Sequence, residues 1–100
     1  MFNTEFELNG TTLSVKPMGE LDSVNSPAFD AQLKQRLPGV SKVIVDFEQV
    51  DYISSAGLRV FLAAEQYLEN HDAEMKIIHV NEHIMDIFDM VGFLDVVTVE

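Results

Sequence analysis

The 100-residue chain has no cysteine, and only six Lys plus Arg stand against seventeen Asp plus Glu. Without cysteine there is no disulfide framework, no thiolate nucleophile and no cysteine-based zinc site. The shortage of cations leaves a formal net charge of −11. Nucleic-acid binding requires a basic face that displaces counterions from phosphates, so direct nucleic-acid contact is not expected. The same sign disfavours an anionic membrane surface and suits a basic protein partner. No apolar run reaches the length needed to span a bilayer, so membrane insertion is not expected. The opening MFNTEFELNG has no basic region followed by an apolar stretch, as a signal peptide would. These absences together predict a soluble, cytoplasmic protein that would reach gene expression, if at all, through another protein.

What is present suits a single domain over 1–100: 47% of the residues are hydrophobic, enough for a core, and no repeat or low-complexity tract interrupts them. Two weakly alternating segments flank Asn9-Gly10, the signature of a β-hairpin. Ser26-Pro27 reads as a helix start, with Phe29, Leu33 and Leu37 on one face and Pro38-Gly39 as the stop. KVIVDF (42–47) and MKIIHV (75–80) are nearly continuous apolar runs, as expected of strands covered on both faces. Between them a second helix is predicted over 55–70, with Leu58, Phe61, Leu62, Glu65 and Leu68 on one face. Asn81 caps a third helix whose inward stripe is Ile84, Ile87, Phe88 and Val91, with Gly92 ending it, and VVTVE forms a last strand. The order β-β-α-β-α-β-α-β predicts an α/β fold, a mixed β-sheet with helices packed on it.

The stretch VDYISSAGLRVFL (50–62) sets Ser54, Ser55, Ala56 and Gly57 between two apolar segments, where the second helix begins. Backbone N–H groups in a first helical turn lack intrahelical partners, and the helix dipole adds partial positive charge there. A serine at such a point can cap the helix, and it can equally carry a phosphate, which adds about −1.5 to −2 charges. Ala56 and Gly57 keep the neighbourhood small enough for a kinase to approach. Enzymatic readings fit poorly. The serine-hydrolase elbow needs Gly-x-Ser-x-Gly and ISSAG lacks its first glycine, while a P-loop would need Gly-Lys-Ser/Thr. HVNEH brings His79, Glu82 and His83 close in sequence but is not His-Glu-x-x-His, so neither a metal nor a cofactor is expected.

VIVDFEQVDYISSAGLRVFL resembles the core signature of the STAS domain as found in bacterial anti-sigma factor antagonists. GELDSVNSPAFDAQL resembles that family's loop and first helix, and MKIIHVNEHIMDIFDMVGFLDVV its final strand, helix and strand. The resemblance implies a non-enzymatic partner switch. The unphosphorylated protein would bind an anti-sigma factor with serine kinase activity and release its sigma factor. Phosphorylation of one serine would reverse this, and a PP2C-type phosphatase would restore it. The family's acceptor lies two positions before the Gly-Leu pair, which is Ser55 here. Many relatives carry an aspartate just before the acceptor, where this chain has Ser54, so Ser54 stands as the alternative acceptor. Asp22 matches an acidic loop position of the family, and Asp22, Ser54, Ser55, Ala56, Gly57 and Arg59 form the implied partner-binding set. The alternative is a non-phosphorylated STAS scaffold, a subunit of a transport or sensory complex, in which Ser55 would only cap its helix.

Overall fold

A two-residue loop, Gly10 and Thr11, folds the first two strands, β1 (Asn3–Asn9) and β2 (Thr12–Leu21), into an antiparallel hairpin. Gly10 has φ +63°, a conformation glycine adopts without the steric penalty a side chain would bring. The computed structural model describes residues 2–100. The chain continues through α1 (Ser26–Arg36), β3 (Lys42–Asp46), β4 (Val50–Ile53), α2 (Ser55–Glu69), β5 (Glu74–Ile78), α3 (Glu82–Met90), a 3-10 turn over Phe93–Asp95 and β6 (Thr98–Val99). The sheet runs β1-β2-β3-β5-β6, antiparallel only between β1 and β2 and parallel thereafter. β3 runs beside the first residues of β2, and β4 pairs with its last three, after a register shift between Gly19 and Glu20. The fold is thus the expected α/β class with a mixed sheet, but with one more strand, β4, between β3 and α2.

All three helices lie on one face of the sheet. Phe29 of α1 packs against Phe61 of α2, which meets Phe47 just after β3. Phe47 in turn meets Phe88 of α3, and Phe88 meets Phe93, with centroid separations of 4.4–5.8 Å along this chain. Tilted and edge-on aromatic pairs of this kind contribute about 0.5–1.5 kcal/mol each beyond their buried area. They join sheet and helices into one core. The expectation that β3 and β5 are covered on both faces is not met. In β3, Val43 and Val45 are fully buried while Ile44 between them is half-exposed, and in β5 Met75 and Ile77 are buried while Ile78 is not. The apolar run therefore reflects one buried face and one partly open face that carries two isoleucines.

Several termini differ by a residue or a role. Asn25, not Ser26, precedes α1; Ser26 is buried inside the first turn, and its hydroxyl donates to the Asp22 carbonyl at 2.6 Å. In α3, Ile84 and Phe88 are buried, but Val91 follows the helix and is exposed, because the chain turns at Gly92 (φ +74°). Asn81 caps α3 as expected, accepting from the Ile84 amide at 2.8 Å. The closing strand is only Thr98–Val99, since the Val96 and Val97 amides are turned back onto the Phe93 carbonyl after the 3-10 turn. No helix among the described residues is long and apolar enough to cross a membrane.

Candidate functional site at the start of the second helix

Because the strands other than β1 run parallel, the helices that follow β4 and β5 begin at the same end of the sheet. Asn81, at the start of α3, donates from its side chain to the Val50 carbonyl at 3.3 Å, which ties the start of α3 to the first residue of β4. Grooves at this end of parallel strands are where α/β folds commonly place their functional groups.

The two serines take different roles. Ser54 has an extended backbone (φ −91°, ψ 172°) and is the N-cap of α2; its Oγ accepts from the Gly57 amide at 3.2 Å. The same hydroxyl donates to the Leu21 carbonyl at 3.2 Å, and the Ser54 amide donates to that carbonyl at 2.9 Å. Ser54 is half-buried and fully engaged. Ser55 is the first helical residue, is exposed, and its hydroxyl makes no hydrogen bond to the described residues. Capping is thus done by the first serine and leaves the second free.

Gly57 is needed for its size. A Cβ there would stand 2.9 Å from Ile53 Cγ1 and 3.0 Å from both Leu21 Cγ and the Leu21 carbonyl oxygen. The first turn of α2 therefore lies directly against the end of β2, and only glycine permits that approach. Asp22, next along from Leu21, spends one carboxylate oxygen on the amides of Val24 (3.0 Å) and Asn25 (2.9 Å) and so shapes the loop into α1. The structure brings this loop to Ser54 through the Leu21 carbonyl, while the Asp22 carboxylate is turned to its own loop. Ala56 is half-buried, and with Ser26, Pro27, Asp30 and exposed Arg59 it lines a shallow groove between α1 and α2. Sequence reasoning did not reach Leu21 or Asn25. The Leu21–Ser54 contact spans 33 positions, and no local pattern announces it.

Around the serines the surface is acidic and carries some exposed apolar area. Asp51 and Tyr52 precede them, Val24 stands out from the loop with 82% of its surface exposed, and Asp51 shares a hollow with Glu82, His83 and Asp86 of α3. His79 is drawn away from Glu82 and His83 into a 3.0 Å contact with Asp46. Burial pushes the Asp46 carboxyl up, but the Glu48 amide, His79 and Lys16 outweigh it and hold the group below the usual carboxylate value. No group of three or more potential metal ligands occurs among the described residues.

A small mixed sheet with three helices on one face and a serine pair opening the second helix defines a compact α/β domain. The STAS domain family model matches residues 3–100, and the chain belongs to that family. It is 31% identical over 98 residues to the anti-sigma-B factor antagonist of Staphylococcus aureus, covering 97% of this chain and 91% of that one. It is 33% identical over 79 residues to BtrV of Bordetella bronchiseptica, covering 78% and 68%. Among solved structures, the anti-sigma factor antagonist SpoIIAA in its unphosphorylated form superposes with a TM-score of 0.77 over all of this chain and 87% of its own, at 18% identity. The phosphorylated form of the Bacillus protein gives 0.76 at 19% identity, over all of this chain and 91% of its own.

Proposed function

We propose that this protein is an anti-sigma factor antagonist that works by partner switching at Ser55. In its unphosphorylated form the surface formed by the Asp22 loop, the serine turn and the first turns of α2 binds an anti-sigma factor with serine kinase activity, and a sigma factor is released. Transfer of phosphate to Ser55 ends that complex, and a PP2C-type phosphatase resets the protein. The observation that carries this reading is the division of labour between the serines. Ser54 holds the helix and Ser55 presents an exposed hydroxyl with no structural duty. A relative by fold, SpoIIAA, has been solved both with and without phosphate, which supports the reading.

A phosphate dianion at an interface repels acidic partner groups and is expensive to desolvate. A coupling of about 3 kcal/mol weakens binding more than a hundredfold, enough to reverse partner choice. The test is intact mass with fragmentation on protein from its own growing and stressed cells, joined to binding assays with the anti-sigma factor. Phosphate on Ser55 with changing occupancy, tight binding by Ser55→Ala and weak binding by Ser55→Asp support the switch. Unmodified protein under every condition, together with equal affinities for the two variants, would sink it. That result would favour a constitutive scaffold in a transport or sensory complex.

A further inference from the structure

Six cations serve this chain, and five are engaged. Lys34 pairs with Asp30 at 2.9 Å, Lys76 with Glu100 at 3.3 Å, Lys42 with Glu74 at 3.7 Å and Lys16 with Glu48 at 3.9 Å. Arg36 donates to the Gln32 carbonyl at 2.8 Å and lies 4.0 Å over the Phe6 ring. Arg59 has no ion pair or hydrogen bond with any described residue, although the chain holds seventeen carboxylates. The acid that lines the same groove, Asp30, is already held by Lys34. Arg59 is four residues beyond Ser55 on α2, and both are exposed. Side chains at that spacing are neighbours on a helix surface, and the arrangement with the anion nearer the N-terminus is the favourable one.

We propose that Arg59 is the counter-ion of a phosphate on Ser55, closing an intrahelical pair when the serine is modified. The inference rests on the phospho-switch reading and adds a second action to it. Modification places negative charge on the docking face and also engages Arg59, the cation of that face that no other described residue holds. Guanidinium matches phosphate with paired N–H donors. The switch then changes the face from one with a free cation to one with a neutralised cation and surplus negative charge. A partner that uses an acidic group against Arg59 loses that contact at the same moment as it meets the phosphate.

The test installs phosphoserine at position 55 by genetic encoding, so it does not depend on any kinase. The second ionisation of the phosphate, near pH 6 in a free phosphoserine, is followed by phosphorus NMR in the wild type, Arg59→Gln and Arg59→Lys. The expected result is a wild-type value about 0.2–0.4 pH unit below that of Arg59→Gln, with Arg59→Lys in between. The side-chain nitrogen signal of Arg59 should also shift on phosphorylation. Identical ionisation in the wild type and Arg59→Gln overturns the pairing. Such a result leaves the switch itself standing, because failure of the switch would show instead as undiminished partner binding by the phosphoserine protein.

Discussion

Ser54→Ala and Ser55→Ala remove the same atom one residue apart, yet the structure predicts opposite consequences for stability. Truncating Ser54 deletes the cap on the Gly57 amide, worth about 1 kcal/mol. It also deletes the hydroxyl's bond to the Leu21 carbonyl, worth about 0.5 kcal/mol at the low end of neutral hydrogen bonds, since that carbonyl still accepts from the Ser54 amide. The sum is about 1.5 kcal/mol. For a domain of this size each kcal/mol lowers the melting temperature by about 4–8 °C, so a fall of about 6–12 °C is expected. Truncating Ser55 removes no bond, and alanine is the better helix former by a few tenths of a kcal/mol, so stability should hold or rise by ~0.3 kcal/mol. Urea unfolding followed by far-ultraviolet circular dichroism measures both variants against the wild type. Comparable destabilisation by the two substitutions would refute the division of labour, because Ser55 would then carry a structural load that the hydrogen-bond pattern denies.

Gly57→Ala should destabilise by about 1–3 kcal/mol and weaken partner binding, because the new methyl group meets the Leu21 carbonyl and cannot turn aside; unchanged stability would mean that α2 does not lie as close to β2 as described. Glu65 on α2 has a buried, unpartnered Oε2, and burial, followed by the charges of Glu69 and Glu74, raises its pKa. The folded protein therefore binds this proton more tightly than the unfolded chain. The associated stability is present at low pH and is lost as pH rises through the raised folded value. Glu65→Gln should accordingly gain stability over the wild type as pH rises from the ordinary carboxylate range through the raised folded value, and a difference in urea midpoint that does not change with pH would contradict this.

The helix starts and stops were largely legible, because they rest on local chemistry. Asn81 caps α3, Gly10 turns the hairpin, and the apolar residues of α2 mark its buried side, all within a few residues of chain. β4 was not legible. VDYI buries only its two end residues and so shows no alternation, and its pairing with β2 depends on a register shift some thirty residues earlier. The covering of β3 was misjudged because Ile44 looks like a core residue, whereas whether a helix lies over it is decided by tertiary packing. Asn25 displaced Ser26 as the residue before α1 because the Ser26 hydroxyl finds the Asp22 carbonyl instead. At the serine turn the motif drew attention to both hydroxyls. The cap on the Gly57 amide and the contact with Leu21 separate the structural one from the free one.

That separation bears on how such a domain can change over generations. Position 54 answers to the fold, and a replacement there that cannot cap α2 loses stability before function is consulted. Position 55 answers to nothing else among the described residues. Under the proposed switch, a single substitution at 55 would leave a well-folded protein with its docking surface otherwise intact and its regulation removed. Passage between a regulated and a permanently engaged form thus requires no rescue of the scaffold, and one architecture can supply both kinds of protein.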